Sequence, residues 1–535
     1  MMTEIRASLI TEAVAALCAE ANTCVPPDVV SALARAADAE KDPRAMGVLE
    51  MLRENACIAR REARPICQDT GMAVIFLEIG QDAHIAGGDL TEAVNAGVAR
   101  GYAEGFLRKS VVADPIKRVN TGDNTPAVIY TEIVPGDKLK IIVAPKGFGS
   151  ENMSAVAMLK PSDGLEGLTD FIIKTVREAG PNPCPPVIVG VGAGGTLEKA
   201  ALMAKKALTR PVGGRNPDPV WARRELEWLR AINGLNIGPA GLGGATTALD
   251  VHAEVFPTHI AGLPVAVNIS CHVYRHAAAW LDAEGFRTER GSAGDGPAVF
   301  ASHRDKTLGA ASDTERRQSA AGGAESSVRL SAPLSDEAVN GLRAGDSVLL
   351  SGIIYTARDA AHKRLCEMLE NGGGERLSQA VPGLFQSVAT QGTGMRTRFI
   401  DGSAVFYAGP SPAKPGGVIG SIGPTTSGRM DAYSPGLIGL GLRAMIGKGR
   451  RGGAVKDAIR RYGGVYLIAV GGAAALMSKC VKGARIVAFE DLGAEAIHEL
   501  VVEDMPLIVG IDALGNDVYD AADPPSPEGD GQLGG

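Results

Sequence analysis

Over residues 1–60 apolar side chains recur every three or four positions (Leu9, Val14, Leu17; Val30, Leu33, Ala34; Val48, Met51, Leu52), which predicts three amphipathic helices. The pattern breaks at Pro65-Ile-Cys67-Gln-Asp69-Thr-Gly71, and the apolar run Met72–Ile79 then reads as a strand. Further strands are predicted over 127–133, 139–144 and 187–191, over 264–270, and later over 348–355 and 404–407. The run Val187–Val191 passes through a glycine turn into a helical pattern from Leu197 to Leu208, with Ala200, Met203, Ala204 and Ala207 on one face. Strands alternating with helices define an α/β fold.

From Arg287 to Ser327 the apolar residues nearly vanish and Arg, Gly, Ser, Ala and Asp take over, which is linker composition. The expected organisation is therefore a domain over 1–286, a linker over 287–327, a second domain over 328–511, and a frayed tail over 512–535 rich in Asp, Pro, Gly and Ser.

A chain of 535 residues with 45% hydrophobic content has room for sizeable cores. Its formal charge, −7 from 54 basic and 61 acidic residues, argues against nucleic-acid and membrane-surface partners and leaves small anions possible. No stretch approaches ~18 uninterrupted apolar residues, so the expectation is a cytoplasmic protein with no membrane span. Eight cysteines are too few for a disulfide scaffold at this length, and no CxxC occurs. Cys18, Cys57 and Cys366 fall in helical patterns and read as small buried hydrophobes; Cys24 and Cys480 are equally plain.

Three cysteines differ. Cys184 lies between prolines 181, 183, 185 and 186, which remove backbone donors and fix φ, so its thiol sits on a stiff extended loop. Cys67 and Cys271 also read as loop residues beside strands. Gln68 and Asp69 put a donor and a carboxylate next to a thiol, although Asp69 would equally serve an Asx-type turn. Gly190-x-Gly192-x-x-Gly195 spells the dinucleotide fingerprint, but the Arg210-Pro-Val-Gly-Gly-Arg segment that follows contains no second strand ending in an acid to hold a ribose. These glycines are expected instead to let backbone approach a substrate or cluster.

In the second half, Arg358 and His362 fall at helical spacing in Thr356-Ala-Arg-Asp-Ala-Ala-His-Lys. Gly423-Pro-Thr425-Thr-Ser-Gly-Arg429 and Gly447-Lys448-Gly bring hydroxyls, a guanidinium and an ammonium toward a helix start, the donors a carboxylate needs. No role follows from the segment 391–402.

The motifs PICQDTG, GSEN, NPCPP with GVGAGGT, GPAGLGG and SCHVYRHA, in that order, resemble the class I, iron-sulfur fumarate hydratase family, which L-tartrate dehydratases and mesaconate-hydrating enzymes share. The resemblance spans roughly residues 5–285 and 328–510. It implies an N-terminal Fe-S-binding α/β domain and a C-terminal swivelling-type β/α domain, with a 4Fe-4S cluster on Cys67, Cys184 and Cys271 and one iron open to substrate. Gln68, Arg118, Gly149, His259, Arg358, Arg429 and Lys448 resemble the family's substrate contacts, Thr425 its catalytic base and Asp69 the partner acid. Three loop thiolates agree with a soft cluster site, and a missing fourth leaves a Lewis-acidic metal.

The resulting expectation is a homodimeric lyase that reversibly hydrates a small dicarboxylate, fumarate first, with tartrate or mesaconate as alternatives. Outside that class the competing readings are a nicotinamide oxidoreductase and a non-catalytic Fe-S redox or sensor protein.

Overall fold

The computed structural model describes residues 3–273, 275–289, 327–371, 374–390 and 394–520. The three expected N-terminal helices form as Ala7–Thr23, Pro27–Ala39 and Pro43–Arg61. Asp42 caps the third by accepting from the Arg44 and Ala45 amides. Ala7–Ala39 is the one stretch among the described residues apolar enough to cross a membrane, yet it is two helices broken at Cys24–Pro26, with 56% of its most apolar window buried.

The first half contains two larger sheets besides a two-stranded parallel pairing of Thr3–Arg6 with Ala83–Ala86. One has five strands in the order Phe286–Thr288, Ala277–Leu281, Leu139–Lys146, Met72–Gly80, Val128–Val134. The helices Ala7–Thr23 and Leu90–Glu104 bury its apolar face, where Ile75, Leu77, Ile141 and Val143 meet Ile10, Val14 and Tyr102. The other has four strands in the order Ala155–Leu159, Leu263–Cys271, Val187–Gly194, Ala248–Phe256. Lys146 joins the two sheets: its ammonium donates to the Ile269 carbonyl at 2.8 Å and to Ser150 Oγ at 3.0 Å and pairs with Glu151 at 3.2 Å.

The glycines of the fingerprint-like turn serve packing rather than ligand approach, which corrects the expectation. A Cβ at Gly190 would fall 2.0 Å from the Ala204 carbonyl oxygen, and one at Gly192 2.0 Å from that of Ala200. Both carbonyls belong to the helix Leu197–Ala207, which therefore lies directly on the strand.

In the second half seven strands run in the order Val328–Ala332, Ser347–Thr356, Ala404–Phe406, Ala444–Gly447, Val465–Ile468, Ile497–Ile511, Val481–Ala488, and Ile497–Ile511 also pairs with Ser347–Thr356. That extra pairing closes five strands into a ring. Side chains alternate across it: Phe406, Ile446 and Leu467 join one buried cluster, and Val405, Tyr407, Met445 and Tyr466 another. The second cluster continues into Val29, Val48 and Leu52 of the N-terminal helices, so one core is shared by both halves. Asn55, 1% exposed, bridges them by donating to the Gly472 carbonyl at 2.8 Å and accepting from the Leu476 amide at 2.9 Å.

Several boundaries shift. Arg287 and Thr288, expected in the linker, form an edge strand with Ala277–Leu281, while residues 290–326 lie outside the described residues. The expected tail over 512–535 begins too early: Val518 and Tyr519 are buried, and the Val518 amide bonds the Gly510 carbonyl at 2.9 Å. Residues 521–535 are outside the description. Within the unassigned segment 391–402, Gly394–Phe399 pairs with Phe385–Thr390 in a hairpin closed by the Phe385 and Phe399 rings, 4.6 Å apart. Of the three cysteines expected to be buried, Cys18 is, Cys366 is half-buried and Cys57 is exposed; Cys480 is buried too.

Candidate active site at the three thiols

Cys184 and Cys271 reach the site through one register. Val187, three residues after Cys184, pairs with Cys271, so both thiols leave the four-stranded sheet at the same end. The prolines hold Cys184 at φ +60°, rare for a residue with a side chain, and its amide bonds the Pro181 carbonyl at 3.2 Å. Cys271 is the last residue of its strand, not a loop residue. His272, 3% exposed, is held neutral near pKa 4 by burial, so its Nδ1 carries the hydrogen it shares with the Cys184 carbonyl at 3.1 Å. Cys67 precedes the strand Met72–Gly80 of the other sheet, with its Sγ 3.3 Å from Gln68 Oε1. Burial pushes its thiol up to about 11.

Lys448 brings the second half onto the Cys184 thiol. Its ammonium lies 2.7 Å from Cys184 Sγ and donates to the Asn182 carbonyl at 2.8 Å. Burial disfavours its charge, but Cys184 and then Cys67 and Cys271 outweigh this and raise its pKa. A Cβ at Gly149 would stand 3.3 Å from the same ammonium, and one at Gly471 would stand 2.3 Å from Cys184 Sγ. Gly471 thus leaves one side of the thiol free of any side chain of its own, while Lys448 covers another.

Among the described residues no three or more His, Cys, Asp and Glu side chains close around a single ion. Three thiols that each bind a different metal of a polynuclear cluster need not converge so tightly. A set of three cysteines on separate segments, with Gly471 leaving one side of Cys184 free, fits such a soft cluster.

Asp69 is gripped from several sides. Arg108 pairs with Oδ1 at 3.1 Å, the Gly71 amide donates to Oδ1 at 3.1 Å and the Phe148 amide to Oδ2 at 3.0 Å, while Arg275 bonds its backbone carbonyl. Burial alone would raise its pKa; Arg108 and then Arg275 overcome that and hold it down at about 2. A carboxyl with so low a pKa stays ionised far below neutral pH, so Asp69 rests as a proton acceptor. Because the folded value is depressed, its stabilisation is complete above the ordinary value of about 4 and is lost as pH falls toward 2. Asp69→Asn is therefore expected to cost about 2 kcal/mol at pH 7 and progressively less from pH 4 downward. Urea titrations at several pH values give the comparison, and a cost independent of pH over that window would contradict the assignment.

Gln68, 6% exposed, spans the halves by donating to the Pro424 carbonyl at 3.1 Å. Next to it Thr425, 7% exposed, is fixed by its backbone: its amide donates to the Tyr407 carbonyl at 2.6 Å, and its carbonyl accepts from the Lys448 amide at 3.3 Å. Arg358 is the residue before the helix Asp359–Glu370, in extended geometry, rather than a partner of His362 on a helix face. It pairs with Glu495 at 3.2 Å, and its Nε is buried without a partner. Arg429 pairs with Asp359 at 2.7 Å. An orphaned guanidinium N–H beside exchangeable acid partners is what an incoming carboxylate would satisfy.

Two expected residues stand apart. Arg118 is exposed on the loop 111–124, and no described hydrogen bond or ion pair of its side chain reaches the site. Arg108, 9% exposed, takes that place: besides Asp69 it reaches the Gly409 carbonyl at 3.3 Å. Only the fold separates two arginines ten residues apart. His259 is exposed on the loop after Ala248–Phe256. Since Gly194 pairs with Phe256 while Val187 pairs with Cys271, that loop lies at the far end of the sheet, about 23 Å along the strand at ~3.3 Å per residue. Arg108→Gln is expected to lower kcat/KM for a dicarboxylate by at least about tenfold, whereas Arg118→Gln should change it by no more than about twofold. Steady-state kinetics decide, and equal losses would return Arg118 to the site.

A buried thiol under an ammonium, an ionised carboxylate held by Arg108, and the acid-paired Arg358 and Arg429 make a candidate site for a small anion. The family described as fumarate hydratase (Fumerase) matches residues 11–280, and its companion, fumarase C-terminus, matches 294–382 and 384–522. The aerobic class I fumarate hydratase of Escherichia coli K12 is 31% identical over 506 residues, covering 90% of this chain and 85% of that protein. The anaerobic class I enzyme of the same strain is 32% identical over 490 residues, covering 88% and 82%. The L(+)-tartrate dehydratase subunit alpha of Escherichia coli UTI89 is 34% identical over 270 residues, 50% of this chain and 88% of that subunit. The chain belongs to the class I fumarate hydratase family and is a hydro-lyase.

Proposed function

We propose that the protein reversibly adds water to fumarate to give (S)-malate, with Cys67, Cys184 and Cys271 holding a 4Fe-4S cluster. The observation that carries this is the Lys448 ammonium 2.7 Å from Cys184 Sγ, because it joins the thiols of the first half to the Thr425 loop of the second. When bound, such a cluster with one iron free of protein ligands supplies a Lewis acid at the thiol end of the site.

Arg358, Arg429, Arg108 and Lys448 balance the substrate's two carboxylates and the charge that grows on the carbon acid. Gln68 and the Gly149 backbone line the approach, and His259 remains a substrate contact only if this chain's far sheet end meets another site. In hydration the Asp69 carboxylate takes a proton from water as the oxygen bonds to one olefinic carbon, and the Thr425 hydroxyl gives its proton to the other. In dehydration Thr425 recovers that proton and Asp69 returns the other to the leaving hydroxide. Solvent exchange between the two groups restores the starting state.

The two halves are proposed as domains joined by the linker, which fits a relative of half the length that stands as a separate subunit. A homodimer is proposed alongside, supported by Val156, Met158 and Phe256, left exposed on outer strands, and a cytoplasmic location is proposed with it. L-tartrate dehydration is the second reading, favoured by the tartrate dehydratase likeness; mesaconate belongs to the same test. Anaerobic, iron-reconstituted protein should remove the ultraviolet absorbance of fumarate faster than that of mesaconate and faster than it dehydrates tartrate. Preference for tartrate, or no turnover of fumarate, would reject the proposal.

A further inference from the structure

Lys448 opens the short basic run Lys448-Gly-Arg-Arg451, and the site above leaves its last member without a task. The Arg451 side chain is 0% exposed. Its Nε donates to Asp431 Oδ1 at 2.7 Å and its Nη2 to Ser434 Oγ at 2.7 Å. The guanidinium carbon lies 5.4 Å from the Tyr407 ring centroid and 5.1 Å from that of Tyr466. Burying a guanidinium is costly unless it is paired, and here one carboxylate and two aromatic faces offset that cost. A planar cation can stack on both rings while donating at its edge, which an ammonium cannot do.

The two tyrosines carry the backbone on which the reacting groups hang. Tyr466 Oη donates to the Gly449 carbonyl at 2.9 Å and lies 3.0 Å from Ser427 Oγ, contacts immediately after Lys448 and two residues after Thr425. The Tyr407 carbonyl accepts the Thr425 amide at 2.6 Å. The Tyr407 ring also meets the edge of His362 at 5.2 Å, and His362 Nδ1 bonds the Arg358 carbonyl at 2.9 Å. Arg358, Thr425 and Lys448, far apart in sequence, thus lean on one buried guanidinium.

We propose that Arg451 is a positioning residue for the hydration chemistry, holding Thr425 and Lys448 in mutual register through Tyr407 and Tyr466. The inference rests on the assignment of Thr425 and Lys448 to the reaction. The test compares wild type, Tyr466→Phe and Arg451→Lys as full-length, iron-loaded, anaerobic proteins. Tyr466→Phe removes only the hydroxyl that braces Gly449 and Ser427, so it settles the matter even if Arg451→Lys does not fold. In each folded variant kcat for fumarate should fall about 10- to 100-fold with KM changed far less, while iron content and the visible spectrum stay at the wild-type level. Amide hydrogen exchange at 425–427 and 447–449 should accelerate. Wild-type kcat per folded molecule and unchanged exchange in those segments, with or without a lower Tm, would overturn the proposal. If wild type does not hydrate fumarate, the functional reading fails, and the exchange data still judge the positioning role.

Discussion

Cys184→Ser is expected to lose its iron and to drop hydration to background, more than about a hundredfold below wild type. Serine keeps the shape of the side chain but presents a hard, protonated oxygen where a soft thiolate is needed. Cys67→Ser and Cys271→Ser should behave alike, because each thiol arrives from a different segment and none can stand in for another. Cys366→Ser and Cys480→Ser are the controls: the first lies on the helix Asp359–Glu370, the second is 3% exposed in the core of the closed sheet, and both should retain full iron. Iron and sulfide analysis with the visible spectrum makes the comparison. A Cys184→Ser protein that kept a full cluster would mean that the three thiols are not the ligand set.

Thr425→Ala should separate chemistry from cluster binding. Loss of a proton-transfer group costs typically 10²- to 10⁴-fold in rate, so kcat should fall within about that range. Iron content, spectrum and KM should hold, since the backbone bonds of Thr425 to Tyr407 and Lys448 survive the substitution and none of the described hydrogen bonds uses its hydroxyl. If the cluster disappeared together with activity, Thr425 would have to be reassigned to supporting the metal site rather than moving a proton.

Residues whose role depends on local chain chemistry were legible in the sequence. The helical periodicity of residues 7–61 and the apolar strand runs act over a few neighbours, and each formed where its pattern lies, whereas the extended loop read from the prolines is a turn that holds Cys184 at φ +60°. Residues whose role depends on distant partners were not. Asp69 reads as a carboxylate beside a thiol, and only the fold brings Arg108 and Arg275 onto it and lowers its pKa to about 2; Arg108 is unmarked in its own segment, and Arg275, although inside the SCHVYRHA motif, carries no sign there of its partner. Arg118 and Arg108 carry the same group, but one lies on an exposed loop and the other under Gly409.

By itself, then, the sequence determined the elements, the three unusual cysteines and the donor types near Thr425 and Lys448, because propensity, periodicity and proline geometry are local. Tertiary structure alone decided that Lys448 meets Cys184, that the far end of the sheet carries His259 away, and that Gly190 and Gly192 receive a helix instead of a substrate or cluster. Those outcomes follow from strand register, shared burial and charge pairing between segments up to hundreds of residues apart, and spacing along the chain carries no record of them.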